Sequence, residues 1–159
     1  MKRSFLTTRA ILLAAFLTTI LTSSQATDRF VVFQSQTDAW QLKDVTIGYA
    51  EGEHSCVKLA ADNLITDFES VTGTKPLVSY LNSQPSPLTS ILIGTVGVNK
   101  QIDLWVKQGV LRDLKGKTEK YIIKTIGQQL VIAGSDKRGT VYGIYELSRQ
   151  MGVSPWYYW

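Results

Sequence analysis

Residues 130–151 read LVIAGSDKRGTVYGIYELSRQM, and this stretch decides the fold. It opens with a short apolar, β-branched run over residues 130–133, which is typical of a strand. After Gly134, either Ser135 or Asp136 is placed to cap a helix that runs to about residue 151. Apolar side chains then recur at helical spacing, at Val141, Ile144, Leu147 and Met151. Gly152 follows directly and stops the helix. The stretch therefore predicts a strand, a tight turn and a helix in direct succession.

Outward from this unit, strands and helices are interleaved along the chain. Period-two alternation and apolar runs predict five further strands, at residues 30–33, 45–49, 76–81, 90–94 and 121–125. Helical spacing predicts two further helices, at residues 53–72 and 99–108. The last predicted strand and the strand at 130–133 are close enough to form an antiparallel hairpin through Gly127.

These elements occur in the order β-β-α-β-β-α-β-β-α. Interleaved helices, together with at least two hairpin-like neighbours, predict an α/β fold of α+β-like character. In this fold a mixed β-sheet is flanked by about three helices. A purely parallel, doubly wound sheet is not expected.

The composition is that of one globular domain. The chain has 159 residues, of which 44% are hydrophobic and 19% are charged, and its formal net charge is +4. Lys2, Arg3 and Arg9 lie in a segment that we expect to be removed, which leaves a net charge of +1. Binding to a polyanion through counterion release requires a clustered basic footprint, so no nucleic-acid partner is predicted.

Residues 1–26 have the pattern of a secretory signal peptide. Residues 1–3 form a basic start and residues 10–21 are largely apolar. Ser24 and Ala26 bring small side chains to the positions before the expected cut. A membrane anchor is the weaker alternative, because the apolar run is shorter than the roughly 20 residues that span a bilayer. We therefore expect residues 27–159 to be the mature domain, secreted or periplasmic, with no membrane contact after cleavage.

His54 and Cys56 are the single histidine and the single cysteine of the chain. One cysteine allows no internal disulfide. A metal site or a nucleophilic centre needs further ligands or an orienting third group, so neither a metal nor a cofactor is predicted. We expect Cys56 to be half-buried near a helix start and His54 to be solvated in the first turn.

Two glycine-containing turns connect a strand to a helix, where backbone amides can hold an anion. Residues 94–100 lack the Gly-Lys-Ser/Thr ending of a phosphate loop, so we interpret them as a tight connection that needs glycine dihedrals. At residues 134–139, Lys137 and Arg138 follow a strand end and a helix cap, which fits a carboxylate or phosphate contact. The alternative is that both cations are solvated and that Gly139 and Gly143 let the helix approach its neighbour closely.

Residues 152–159 carry four aromatic side chains, which follow a proline. Aromatic faces of this kind can stack on sugar rings. An apolar run in this position is also typical of a chain that enters a larger core. We therefore expect the domain to be truncated before a further, catalytic domain.

Paired carboxylates for glycosidic acid and base catalysis are not evident, and no serine nucleophile motif is present. We expect each acidic side chain in a candidate position to be a solvated charge. These residues are Glu51, Glu53, Asp62, Asp67, Glu69 and Glu146. The sequence therefore predicts no catalytic residue.

Residues 131–148, together with the Gly-Val-Ser-Pro-Trp-Tyr run at 152–157, resemble the N-terminal domain of glycoside hydrolase family 115, the xylan α-1,2-glucuronidases. The turn Ile-Gly-Thr-Val-Gly at residues 93–97 and the helix end Phe-Glu-Ser-Val-Thr-Gly at residues 68–73 are similar to the same family. The resemblance spans nearly all of residues 27–159. A related hexosaminidase-type domain is a weaker match.

The resemblance implies an accessory domain that precedes a (β/α)8 barrel, in an enzyme that removes glucuronic or 4-O-methylglucuronic acid from xylan. The implied partners are that barrel, within the same polypeptide, and a glucuronoxylan-type polysaccharide; a homodimer of the full enzyme is also compatible. The catalytic carboxylates are then expected on the barrel. The candidate substrate contacts in this chain are Lys137 or Arg138 for the uronate carboxylate, and Trp156 and Trp159 for stacking. The alternative from another class is a free-standing carbohydrate-binding or interaction module without catalysis.

Overall fold

The structure is a computed structural model that describes residues 30–31, 44–81 and 89–154. Its elements are, in chain order, β1 (Thr46–Ala50), α1 (Ser55–Thr72), β2 (Leu77–Leu81), β3 (Ile91–Thr95), α2 (Lys100–Lys107), a 3-10 turn (Arg112–Leu114), β4 (Tyr121–Ile126), β5 (Gln129–Gly134) and α3 (Lys137–Gln150). Every element predicted from residue 45 onward is confirmed, and no end is shifted by more than two residues.

The five strands form one sheet in the order β2-β1-β3-β5-β4. Strands β1, β2, β3 and β5 are parallel, and β4 runs antiparallel beside β5. The register places Tyr121 opposite Gly134 and Ile126 opposite Gln129, which confirms the hairpin through Gly127. The mixed, helix-covered sheet of the predicted α/β fold is confirmed.

The sequence predicted at least two hairpin-like pairs of neighbouring strands. Among the described residues, β4 and β5 alone form such a pair. Strands β2 and β3 follow each other in sequence, but β1 lies between them in the sheet. The reason is that α1 forms a parallel crossover from β1 to β2, which leaves the other side of β1 open to β3. Phe30 and Val31 form no strand, and the rest of the strand predicted at 30–33 lies outside the described residues.

Helices cover both faces of the sheet. Helices α1 and α3 pack on one face, over a core that includes Ile93 and Phe68. Helix α2 and the 3-10 turn pack on the other face, over a core that includes Leu92 and Ile102. All five residues of β3 are buried, because its alternate side chains enter the two cores. Among the described residues, no helix has the length and apolar character needed to cross a bilayer.

Glycines let helix α3 lie directly against the sheet. A Cβ atom on Gly134 would overlap the backbone of Thr140, and one on Gly139 would overlap the carbonyl oxygen of Lys120. A Cβ atom on Gly143 would also crowd the sheet beneath it. The close approach that the sequence offered as an explanation of Gly139 and Gly143 is therefore confirmed.

Candidate functional site

The carboxyl ends of β1, β3 and β5 lie at one edge of the sheet, because these strands are parallel. The chain crosses from β1 to one side of the sheet and from β3 to the other. Loops at such a change of direction leave a crevice in which α/β proteins commonly bind ligands. The residues that follow these three strands, here called the carboxyl edge, therefore form the candidate site.

Glu53 follows β1 at the carboxyl edge and is buried, with 4% of its surface exposed. Its two carboxylate oxygens accept hydrogen bonds from the backbone amides of His54 at 3.1 Å and of Thr95 at 3.2 Å. The prediction of a solvated charge at Glu53 is wrong, because the amide that ends β3 gives this carboxylate a buried partner. Glu53 thus joins the carboxyl ends of β1 and β3.

Two buried threonine hydroxyls continue this network toward helix α3. Thr140 Oγ1 donates to the carbonyl oxygen of Asp136 at 3.0 Å, and Thr95 Oγ1 lies 2.8 Å from Thr140 Oγ1. Because the one hydroxyl proton of Thr140 goes to Asp136, Thr95 is the donor to Thr140. The Thr95 hydroxyl proton therefore joins β3 to α3, whereas the Thr140 hydroxyl proton stays within the first turn of α3.

The glycine turn after β3 is a tight connection, as interpreted from the sequence. Gly97 has a φ of 85°, a left-handed value that glycine adopts without strain. Its amide donates to Asp103 Oδ1 at 2.7 Å. Asn99 Oδ1 accepts from the amides of Gln101 and Ile102. The amides of Gly97, Gln101 and Ile102 thus have partners within the chain.

Asp136 caps helix α3 and closes the turn after β5. Its Oδ1 accepts from the Gly139 amide at 2.8 Å, and its Oδ2 accepts from the Glu119 amide at 2.7 Å. These backbone donors lower the pKa of the Asp136 carboxyl from its usual value. Of the two predicted capping residues, Asp136 is the cap, whereas Ser135 Oγ accepts from the Lys120 amide.

Lys137 and Arg138, the predicted contacts to a uronate, are exposed in the first turn of α3. Arg138 Nη1 forms an ion pair with Glu119 Oε1 at 2.7 Å, and Arg138 Nη2 donates to Tyr142 OH at 3.1 Å. A ligand carboxylate at Arg138 therefore has to compete with Glu119. Lys137 forms no ion pair with another described residue, so a ligand carboxylate at Lys137 competes with none of the described carboxylates.

Asp136→Ala is expected to lower the free energy of unfolding by about 1–2 kcal/mol at neutral pH, because it removes the cap of α3. Folding lowers the pKa of this carboxyl, so its stabilising effect is complete above the unfolded pKa of about 3.9 and is lost as the pH falls through the folded value. Urea unfolding at neutral pH and near pH ~2.5 measures the change. Asp113→Ala, at an exposed aspartate, is the control. A deficit in Asp136→Ala that is equally large in acid would contradict this explanation.

Two other acidic side chains differ from their predicted state. Asp67 is buried, because it follows Leu64 by three residues and lies beside the apolar stripe of α1. Glu146 is half-buried and paired, since its carboxylate accepts from Arg149 Nε at 2.8 Å and from Arg149 Nη2 at 2.6 Å. These bonds lower the pKa of Glu146. The predicted solvated charge is confirmed at Glu51, Asp62 and Glu69.

His54 and Cys56 are both exposed at the start of α1. His54 is the Ncap residue and its side chain makes no capping hydrogen bond, so its predicted solvation is confirmed. The half-buried position predicted for Cys56 is wrong, because Val57 takes the inward-facing position. Among the described residues, no three His, Cys, Asp or Glu side chains could hold a metal ion. Trp156 and Trp159 lie outside the described residues.

Comparison with known proteins assigns the family. Residues 33–147 match the model of the glycosyl hydrolase family 67 N-terminus. The chain belongs to this family. The matched residues run from before β1 into the last turns of α3, so they include the whole hydrogen-bond network of the carboxyl edge. No curated protein matches the chain.

Solved structures extend this assignment. The chain is 32% identical to BtGH115A, a family GH115 4-O-methyl-α-glucuronidase with specificity for decorated arabinogalactans. That match covers 72% of this chain and 14% of BtGH115A, with a TM-score of 0.61. CpGH84D has the same fold, with 16% identity over 69% of this chain and 18% of its own, and a TM-score of 0.50. The predicted N-terminal domain of a glucuronidase-type glycoside hydrolase is confirmed, and the chain spans less than a fifth of either structure.

Proposed function

We propose that this chain is the secreted, non-catalytic N-terminal domain of an enzyme that removes glucuronic or 4-O-methylglucuronic acid from a xylan-type polysaccharide. The bond is cleaved in a (β/α)8 barrel that follows the domain in the same polypeptide. Membership of the family 67 N-terminus family supports this proposal. The identity of 32% to a protein described as a 4-O-methyl-α-glucuronidase supports the choice of a uronic acid.

The main support for a non-catalytic role is that acidic side chains at the carboxyl edge are used in structural hydrogen bonds. Glycosidic cleavage needs one carboxyl group as acid and a second as nucleophile or base, about 5–10 Å apart across the scissile bond. Glu53 and Asp136 instead each accept hydrogen bonds from two backbone amides, and Glu53 is buried. Both carboxylates hold the fold together, so we assign the catalytic pair to the barrel.

The domain supports the barrel and contacts the substrate at its border. Lys137 is exposed at the start of α3, where its ammonium group can meet a uronate carboxylate. Arg138 can do so only if the ligand replaces Glu119 in the ion pair. Trp156 and Trp159 supply the aromatic faces that stack on the sugar rings.

Release of uronic acid from glucuronoxylan tests the proposal. We expect the full gene product, including the polypeptide after residue 159, to release glucuronic or 4-O-methylglucuronic acid. We expect the chain of 159 residues to release none. Uronic acid release by the chain of 159 residues itself, or release of neutral sugars only by the full product, would contradict the proposal. Amino-terminal sequencing of the exported protein should begin at Thr27.

A further inference from the structure

The charged side chains are divided between two parts of the domain. Residues 44–81 carry six acidic and two basic side chains, whereas residues 89–154 carry five acidic and ten basic ones. The first part forms β1, α1 and β2, at one end of the sheet, and the second part reaches to β4 at the opposite edge. The small net charge therefore conceals a domain with an acidic end and a basic end.

Six exposed lysines dominate the basic end. They lie on α2, in the loop that follows the 3-10 turn, and on or beside β4, and we call them the basic face: Lys100, Lys107, Lys115, Lys117, Lys120 and Lys124. Helix α2, the 3-10 turn and the inward side chains of β4 all pack over the same core. The lysines are therefore carried by elements that border this core, on one side of the sheet.

The acidic residues near the basic face are already occupied. Asp103 accepts the Gly97 amide, Asp113 lies 3.9 Å from Arg112, and Glu119 pairs with Arg138. Each ion pair found among the described residues uses an arginine. The six lysines thus have no anionic partner in the described part of the chain, and their charges face solvent.

The lysines are spaced widely, which fits a polymer whose carboxylates lie at intervals along its length. Lys100 and Lys107 are seven residues apart, which places them on the same side of α2 with a rise of about 10 Å between them. Lys120 and Lys124 are separated by about 13 Å along the edge of the sheet. Lysine is a point charge on a flexible stem. A DNA duplex instead presents one charge per roughly 1.7 Å, which calls for a denser cluster.

Protection of the sheet edge explains only part of this pattern. Lysine on an edge strand discourages pairing with other strands, and this explains Lys124 on β4. It does not explain Lys100 and Lys107 on the outer side of α2, or the two lysines of the loop. A binding role for the lysines explains all six positions together.

We propose that the basic face binds an acidic polysaccharide, a glycan chain that carries uronate carboxylates, at a place separate from the catalytic barrel. This inference rests on the proposed function, which makes a uronate-bearing glycan the polymer at hand. Lysines at intervals along α2 and β4 contact successive carboxylates, while the acidic end of the domain points away from the polymer. The domain would thereby hold the polysaccharide near the barrel between cleavage events.

Affinity electrophoresis of the mature domain, residues 27–159, tests the proposal, because the segment before it carries Lys2, Arg3 and Arg9. Gels contain either glucuronoxylan or the same polymer after reduction of its carboxyl groups to neutral alcohols. We expect retardation by glucuronoxylan only, with a dissociation constant that rises steeply with salt. Equal retardation by the two polymers, or none by either, overturns the proposal. Tighter binding of a short DNA duplex at the same ionic strength also overturns it, in favour of a nucleic acid.

Two double variants with equal net charge locate the binding surface. Lys107→Gln/Lys124→Gln removes two charges from the basic face, and Lys58→Gln/Lys75→Gln removes two from the acidic end. We expect the first pair of substitutions to weaken binding about tenfold, because each lysine–carboxylate contact contributes to the salt-dependent affinity. We expect the second pair to weaken binding by less than about twofold. Equal effects of the two pairs overturn the location.

Uronic acid release by the full gene product is measured separately, which keeps the two proposals distinguishable. If the domain is not retarded but the full gene product releases uronic acid normally, the binding role of the basic face is overturned and the proposed function stands. Normal retardation without release overturns the proposed function. Circular dichroism of each variant confirms that the fold is retained.

Discussion

Gly134→Ala is expected to lower the free energy of unfolding by about 3 kcal/mol, the upper range for inserting one methyl group into a packed site. A Cβ atom at this position would overlap both the amide nitrogen and Oγ1 of Thr140. Thr140 cannot move away cheaply, because its hydroxyl is bonded to Thr95 and Asp136 and its amide is in the first turn of α3. Relief of the overlap requires a shift of the whole helix. Urea unfolding followed by circular dichroism measures the loss.

Gly52→Ala is the matched control for this substitution. A Cβ atom at Gly52 has nothing within 4 Å and its φ is not in the left-handed region, so a change within about 0.5 kcal/mol is expected. If the Gly134→Ala variant unfolds at the same urea concentration as the wild type, this result contradicts the close packing of α3 against the end of β5. If both alanine variants lose stability equally, the effect does not come from contact with Thr140.

Glu53→Ala is expected to lower the free energy of unfolding by about 2–3 kcal/mol. The substitution leaves the buried Thr95 amide without an acceptor and frees the His54 amide. An unsatisfied buried donor costs about 1–3 kcal/mol, and the connection between the ends of β1 and β3 is lost as well. Glu53→Gln retains one side-chain oxygen as an acceptor and should recover part of the loss.

Glu51→Ala is the control for Glu53, since Glu51 is an exposed glutamate in the same loop. Its effect should stay within about 0.5 kcal/mol. The result has a functional meaning. If Glu53→Ala left stability unchanged and abolished uronic acid release by the full gene product, Glu53 would be a catalytic group and not a structural one.

Local patterns explain why most elements could be predicted. Helix α1 ends at Gly73 with a φ of 73°, and the sequence showed this end because a glycine follows the last apolar position. Likewise, Asp136 and the Gly139 amide are three residues apart, and such a cap depends on short-range spacing alone. Strand β3 was evident from its unbroken apolar run.

Contacts between distant parts of the chain could not be predicted in the same way. The position of β1 between β2 and β3 follows from a crossover and not from any one stretch of sequence. The burial of Glu53 depends on an amide 42 residues away, and a glutamate in a polar loop gives no local sign of that partner. The one available signal was its place in the short segment that follows a predicted strand, since the carboxyl ends of parallel strands converge at one edge of a sheet.

For the candidate uronate contacts, too, local position could be predicted and long-range pairing could not. The sequence placed Lys137 and Arg138 correctly in the first turn of a helix. It gave no indication that Arg138 is paired with Glu119, which arrives from the loop before β4. Similarly, the net charge of the chain predicted no basic cluster, whereas the order of the strands in the sheet separates acidic from basic segments.

The coding DNA beyond the codon for Trp159 tests the central claim most directly. An N-terminal domain of a glucuronidase-type hydrolase requires an open reading frame that continues for about 250 codons or more, with eight alternating strands and helices and with carboxylates at the carboxyl ends of the strands. We predict this continuation. A stop codon directly after Trp159, or a frame without the barrel pattern, would contradict the account and leave a binding module in its place.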